Sequence, residues 1–152
     1  MNIGYEFSQL GLPVSDTIDL GKGCSYCDFL DGSIYYSPLF GGHIVRDPIL
    51  TSWRKSGAVH GMLGYPIENA EGIGKALCQR FQSGEMYCLP ERGVLELRGK
   101  IRTEYLKLGG ANGQLGLPIS KVLENDSGEY QKFQHGIIIW HSRQNKIEVQ
   151  KK

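Results

Sequence analysis

The chain has 152 residues, of which 40% are hydrophobic and 22% are charged, so it is long and apolar enough to form a globular domain. Its formal net charge of +1 predicts no nucleic-acid partner and no attraction to an anionic membrane. No segment has the roughly 18 consecutive apolar residues of a membrane-spanning helix, so no membrane insertion is predicted. The first residues lack the basic and apolar regions of a signal peptide, which leaves open a cytoplasmic protein or a piece of a longer secreted one.

Three copies of one sequence unit follow one another at spacings of 52 or 53 residues. Leu-Gly-x-Pro occurs at residues 10–13, 63–66 and 115–118, and Phe-x-x-Gly occurs at residues 29–32, 81–84 and 133–136. Motifs that keep one register over three copies predict a tandem repeat with pseudo-rotational symmetry. The predicted copies cover about residues 5–58, 59–110 and 111–152 of a single repeat domain.

The elements of one copy can be predicted in chain order. Leu-Gly-x-Pro is followed by a polar loop, which in the second copy covers residues 68–72. Two short strands then surround the Phe-x-x-Gly turn, and a further strand follows at residues 94–97. A short helix places Ile101, Tyr105 and Leu108 on one face and ends at Gly109. The sequence therefore predicts an α+β fold in which each repeat is a hairpin, one more strand and a helix. A unit this small needs its neighbours to complete a core.

These motifs resemble those of the LGFP-repeat family over nearly the whole chain. Residues 29–37 read Phe-Leu-Asp-Gly-Ser-Ile-Tyr-Tyr-Ser, and residues 105–116 read Tyr-Leu-Lys-Leu-Gly-Gly-Ala-Asn-Gly-Gln-Leu-Gly. The resemblance implies non-catalytic attachment, because such repeats accompany cell-wall enzymes, notably mycolyl-transferring esterases and amidases. There they are thought to hold the enzyme on arabinogalactan or another wall polysaccharide. The implied location is extracellular or cell-wall associated, and the implied partner is a glycan.

Sequence motifs for catalysis are absent. The chain has no Gly-x-Ser-x-Gly elbow, no His-Glu-x-x-His and no Walker loop. Two loop carboxylates facing each other would suit a glycosidase, but no copy carries an obvious extra polar cluster. The sequence therefore predicts a non-catalytic binding module that uses no cofactor, or the accessory domain of a larger wall enzyme. A protein-interaction array with a protein partner is the alternative, and a small hydrolase is the least favoured interpretation.

The four cysteines suggest two hypotheses, a zinc site and a disulfide. Cys24 and Cys27 resemble half of a zinc site, but Cys78 and Cys88 are ten residues apart and the four histidines show no ligand spacing, so no metal is predicted. If the second hairpin had a three-residue loop, Cys78 would lie opposite Cys88. A disulfide between them then competes with two free thiols. The same positions in the other copies hold aromatic pairs, Tyr26 with Tyr36 and Tyr130 with Trp140.

The aromatic residues divide into a predicted core and a predicted binding set. The core set repeats along the chain and comprises Phe29, Phe81, Phe133, Trp53 and Tyr105. The binding set lies on the second hairpin strand, where adjacent side chains point to opposite faces, so one of each adjacent pair is expected to be exposed. Exposed Tyr and Trp suit stacking on a sugar ring, and Arg suits hydroxyls or anionic groups. The predicted ligand contacts are Tyr35, Tyr36, Tyr87, Trp140, Arg46 and Arg98. Packing against a neighbouring repeat is the alternative role of these aromatics.

Overall fold

The computed structural model describes residues 9–152, so residues 5–8 of the predicted first copy lie outside the described residues. Fourteen regular strands and α-helices follow one another in this range. They are β1 (Ile18–Gly21), β2 (Cys24–Phe29), β3 (Gly32–Ser37), β4 (Gly41–Val45), α1 (Ile49–Lys55), β5 (Glu71–Ile73), β6 (Ala76–Phe81), β7 (Gly84–Leu89), β8 (Gly93–Arg98), α2 (Gly99–Lys107), β9 (Leu123–Asn125), β10 (Gly128–Phe133), β11 (Gly136–His141) and β12 (Lys146–Lys151). No helix in this part of the chain is long and apolar enough to cross a membrane.

The strands form three four-stranded sheets with the same sequential order, β1-β2-β3-β4, β5-β6-β7-β8 and β9-β10-β11-β12. A short helix follows the first and the second sheet. The predicted α+β fold with three tandem repeats is therefore confirmed. Each copy has one strand more than predicted, because residues assigned to the polar loop begin a short strand at Glu71. A strand of only three or four residues has too few alternating apolar positions to be recognised in a sequence.

The predicted register of the hairpins is wrong by one residue. Phe29 pairs directly with Gly32, which leaves two residues in the loop rather than three. Tyr26 consequently lies opposite Tyr35 and not opposite Tyr36. Side chains alternate between the two faces of a strand. A shift of one residue therefore places each side chain of the second strand on the face opposite to that of the residue predicted to pair with it.

The predicted cysteine pairing fails for the same reason. The third hairpin has the register of the first and pairs Tyr130 with Ile139. The same register in the second hairpin places Cys78 opposite Tyr87, and the Tyr87 hydroxyl is a hydrogen-bond partner of Cys78. Cys88 then points to the other face of the sheet. Neither cysteine forms a disulfide in the structure.

The chain divides into two compact units. One holds the described residues up to Glu71 together with residues 79–82, and the other holds residues 72–78 and 83–152. In the first unit, the fully buried Trp53 of α1 lies with its ring centroid 5.1 Å from that of Phe81 and 4.6 Å from that of Tyr35. The indole N–H of Trp53 donates a hydrogen bond to the carbonyl oxygen of Gly64 at 3.2 Å.

The second unit repeats this arrangement around α2. Tyr105 takes the place of Trp53, stacks on Phe133 with centroids 4.6 Å apart, and donates its hydroxyl to the carbonyl oxygen of Gly116. Four of the five predicted core aromatics are fully buried, whereas Phe29 is half-buried. The reason is that Phe81 and Phe133 each pack against an aromatic ring of the preceding helix, and no helix of the described chain precedes Phe29.

The Leu-Gly-x-Pro segments lie along the end of each hairpin. Their prolines bridge the hairpin phenylalanines, as Pro13 with Phe29, Pro66 with Phe81 and Pro118 with Phe133. Gly64 has φ of +76°, and a Cβ on this residue would come within 2.5 Å of Oε1 of Gln82. That oxygen accepts a hydrogen bond from the backbone N–H of Tyr65 at 2.9 Å. Glycine is required there because an L side chain meets both an unfavourable φ and this contact.

A buried glutamine joins each later copy to the strand that ends the sheet of the copy before it. The side-chain amide of Gln79 donates to the carbonyl oxygens of Ile44 and Glu68, at 3.3 and 2.6 Å. Gln131, 52 positions later, donates to the carbonyl oxygens of Glu96 and Ser120, at 3.2 and 3.0 Å. The first copy has Cys27 at this position, and its thiol lies 3.3 Å from the carbonyl oxygen of Ser15. The repeat is therefore a repeat of specific polar contacts as well as of strands.

Candidate functional site

Two of the predicted ligand contacts are buried and unavailable for stacking. Tyr35 and Tyr87 each expose only 3% of their surface. Tyr35 packs edge-on against Trp53, and Tyr87 belongs to the hydrophobic core that surrounds Tyr105. Burial raises the pKa of the Tyr35 and Tyr87 hydroxyls, as it does for the neighbouring core residue Tyr105. These two positions are therefore not the exposed ligand contacts that the sequence suggested, because the helix after each of the first two sheets covers this face.

Trp140 lies on the other face of the third sheet and remains half-buried. It lines a cleft of about 290 Å³ whose other walls are polar. The lining residues besides Trp140 are Glu124, Asn125, Gly128, Glu129 and Ser142. We call this cleft the Trp140 cleft. It places Trp140, which also packs against the hydrophobic core around Tyr105, beside carboxylate, amide and hydroxyl groups.

Strand pairing sets the geometry of the Trp140 cleft. Trp140 on β11 lies opposite Glu129 on β10, and Glu129 lies opposite Glu124 on β9. Directly paired residues on neighbouring strands have Cβ atoms about 4.5–5.5 Å apart, so the indole and the two carboxylates form one row across the sheet. The ammonium group of Lys100 lies 5.7 Å from the centroid of the Trp140 ring. The row therefore offers hydrogen-bond acceptors beside an aromatic ring that a cation helps to position.

The first copy has a similar row with one carboxylate instead of two. Tyr36 lies opposite Ser25, and Ser25 lies opposite Asp19, so an aromatic ring, a hydroxyl and a carboxylate are aligned. In the second copy the row contains Cys88 opposite Val94, and Leu77 takes the position of Ser25. Neither Cys88 nor Leu77 provides the aromatic ring or the hydroxyl of the first copy. The three copies consequently differ in their capacity to bind a polar ligand, with the third the best equipped and the second the least.

A second cleft, of about 510 Å³, lies in the first unit and is centred on an ion pair. Nη2 of Arg54 lies 2.7 Å from Oδ1 of Asp28, and the Ser33 hydroxyl donates to the same oxygen at 2.6 Å. Arg54 also donates to the Tyr35 hydroxyl, from Nε at 3.1 Å. Burial raises the pKa of Asp28, but the hydrogen bonds from Ser33 and Arg54 outweigh it and hold that pKa below its ordinary value. The central polar groups of this cleft therefore satisfy one another.

Sequence reasoning missed this ion pair, although a signal for it existed. Asp28 and Arg54 are replaced by Arg80 and Leu106 at the corresponding positions of the second copy. Charges that occur in one copy of a repeat alone are candidates for a local role, and comparison of the copies position by position would have identified this pair.

The two predicted arginines lie elsewhere than the Trp140 cleft. Arg46 lines the cleft of the Asp28–Arg54 pair. Arg98 forms an ion pair with Glu96, with Nε of Arg98 3.1 Å from Oε1 of Glu96. Neither arginine lines the Trp140 cleft. Within residues 9–152, no group of three or more His, Cys, Asp or Glu side chains is arranged to hold a metal ion.

Comparison with known families identifies the same unit three times. The family model described as LGFP repeat matches residues 10–61, 63–113 and 115–152. These three ranges cover nearly all of the chain and begin at the three Leu-Gly-x-Pro segments. A search of curated proteins finds no match to this chain.

Proposed function

Because the chain belongs to the LGFP-repeat family, we propose that it is a non-catalytic carbohydrate-binding module that attaches to cell-wall polysaccharide. Its principal glycan contact is the Trp140 cleft. The observation that supports this function is the row of Trp140, Glu129 and Glu124 across three paired strands. The proposal places the protein at the cell wall, outside the membrane.

The chemistry of the row suits a sugar. A pyranose or furanose ring has an apolar C–H face that stacks on an indole and hydroxyl groups that donate to carboxylates. Hydrogen bonds to an ionised acceptor are stronger than those between neutral groups, so two carboxylates beside the ring give a sugar hydroxyl a good partner. The Asn125 amide and the Ser142 hydroxyl line the same cleft and add a donor and a mixed donor–acceptor.

The Tyr36 row of the first copy is proposed as a second, weaker glycan contact. A chain that carries two contacts converts the second binding event into an intramolecular one, so a polymer binds more tightly than a short oligosaccharide. The row of Leu77, Cys88 and Val94 in the second copy is not expected to contribute. A polysaccharide with repeated units is therefore the ligand class that this distribution favours.

Trp140→Ala is expected to weaken binding of isolated wall arabinogalactan about tenfold or more, because it removes the aromatic surface on which the sugar stacks. Tyr36→Ala is expected to have a smaller effect, and the double variant is expected to lose the avidity for the polymer. Isothermal titration calorimetry with the polysaccharide measures these differences. Leu77→Ala, in the corresponding row of the second copy, is the matched control and should leave binding unchanged.

Circular dichroism establishes that each variant is folded before its binding is interpreted. A folded double variant that binds as tightly as the wild type would place the glycan site away from these rows. A wild-type chain that binds no wall glycan would contradict the proposed function and favour the protein-interaction array.

A further inference from the structure

Three large apolar side chains are exposed together in the first copy. Leu12, Val14 and Leu30 are 73%, 59% and 65% exposed. The backbone joins them, because the N–H of Leu30 donates to the carbonyl oxygen of Leu12 at 3.1 Å, and the N–H of Val14 donates to that of Asp28 at 2.8 Å. We call these three residues the entry surface. An exposed apolar group of this kind, rimmed by charge, is typical of a protein interaction site.

The second unit shows what packs against the corresponding surface of a later copy. Leu117, Ile119 and Gln134 occupy the positions of Leu12, Val14 and Leu30 in the third copy. They line a cleft together with the turn between β7 and β8 of the copy before, residues 90–92. Leu117 is 7% exposed there, against 73% for Leu12.

A polar contact fixes this packing. Nη1 of Arg92, in the β7–β8 turn, donates to the carbonyl oxygen of Ile119 at 3.0 Å. The apolar surface of the third copy therefore receives the β7–β8 turn of the copy before it. By analogy, the segment expected to bind an entry surface is the turn between the third and fourth strands of the sheet in another copy of this repeat.

We propose that the entry surface of one chain binds the β11–β12 turn of a second copy of the chain, so that molecules associate head to tail. The β11–β12 turn, residues 142–145, takes the place in the third copy that the β7–β8 turn takes in the second. It contains Arg143 and is followed by Lys146. The two surfaces differ, so the contact is heterologous and extends to a ring or a filament.

Charge complementarity supports this pairing. Asp31 and Asp47 line the same cleft as Val14 and Leu30, together with Arg46 and the Asp28–Arg54 ion pair, so three acidic and two basic side chains leave this margin with one excess negative charge. The β11–β12 turn brings basic side chains, Arg143 and Lys146. Opposite charges at the rim of an interface fix register and speed association.

Side-chain hydrogen bonds connect the strands on both sides of the β11–β12 turn. Nδ1 of His141 lies 3.2 Å from the Ser127 hydroxyl, and Nε2 of His141 lies 2.9 Å from Oε2 of Glu148. These contacts hold the strand ends on both sides of the turn. An ordered turn loses less conformational entropy on binding than a flexible one.

Sedimentation equilibrium of the full chain tests the proposal. The wild type is expected to show reversible association, with a mean mass that rises with protein concentration. Leu30→Asp should raise the dissociation constant at least about tenfold, because it places a charge within the apolar contact. Met62→Asp, at an apolar residue that is 67% exposed elsewhere on the chain, is the matched control and should associate like the wild type.

A charge exchange identifies the partner surface. Asp31→Arg alone and Arg143→Asp alone should each impair self-association, because each places like charges at the contact. An equimolar mixture of the two variants should regain it, since each contact between the two different variants again pairs an acid with a base. A wild type that stays monomeric up to about 1 mM, or an equal response of Leu30→Asp and Met62→Asp, would overturn the proposal. So would a mixture that associates no better than the single variants. None of these results depends on glycan binding.

Discussion

Phe81→Ala is expected to lower the free energy of unfolding by about 3–5 kcal/mol. Phe81 is fully buried, and its ring lies 5.1 Å from that of Trp53. Truncation removes the transfer free energy of the ring and leaves a cavity next to a large indole that is held in place by its hydrogen bond to Gly64. Urea denaturation followed by circular dichroism measures the loss.

Phe29→Ala is the matched control for this experiment. Phe29 has the same place in its hairpin and the same bridge to a proline, but it is half-buried. Phe29→Ala is expected to lower the free energy of unfolding distinctly less than Phe81→Ala does, because truncating a half-buried ring removes less buried apolar area. Equal losses for the two variants, or a change of less than about half a kcal/mol for Phe81→Ala, would contradict the assignment of Phe81 to the core.

Arg102→Leu is expected to lower the free energy of unfolding by about 3–5 kcal/mol, because it removes the guanidinium that pairs with the buried Glu85 carboxylate. Glu85 exposes only 3% of its side chain, and Arg102 holds both of its oxygens, with Nε 2.7 Å from Oε2 and Nη2 2.8 Å from Oε1. The first copy has Ser33 and Leu50 at the corresponding positions, and both are buried. In the first copy the Ser33 hydroxyl instead donates to Asp28 of the Asp28–Arg54 ion pair.

The double variant Glu85→Ser/Arg102→Leu removes both members of the ion pair from the second copy. It is expected to recover most of the stability lost by Arg102→Leu, since replacing both members of a buried ion pair is far less costly than removing one. Urea denaturation of the two single variants and the double variant forms a double-mutant cycle that measures the coupling. Additive losses would show that the carboxylate and the guanidinium do not act as a pair.

The architecture was predictable from sequence because the repeat is fixed by residues with strong local requirements. Gly64 needs a positive φ, Pro66 bridges the hairpin, and Trp53 fills the space beside Phe81. Gly64 and Pro66 recur in all three copies and Trp53 recurs as Tyr105 in the second helix, so the period and the helix could be predicted from the sequence. The short first strand of each sheet has no comparable signature, because its few residues are mostly polar.

The candidate site was predictable only in part, because it depends on strand pairing and on neighbouring copies. Trp140 was predicted, but Glu124 and Glu129 join it only through a register that the hairpin loop length decides. Tyr35 and Tyr87 were predicted as contacts and are buried, because the identity of the covered face depends on where the following helix packs. A single-residue change in register or a change of covered face alters the set of exposed side chains, although the elements stay the same.

The most direct test of glycan binding at the Trp140 cleft uses the two tryptophans of the chain. Their indole N–H groups give separate signals in a ¹H–¹⁵N correlation spectrum, and Trp140→Ala assigns them. Trp53 is fully buried and bonded to Gly64, so its signal serves as an internal control. Titration with a soluble arabinogalactan fragment is predicted to shift the Trp140 indole signal progressively to saturation while the Trp53 signal stays in place. Binding that saturates with the Trp140 signal unmoved would contradict the assignment of the glycan to this cleft.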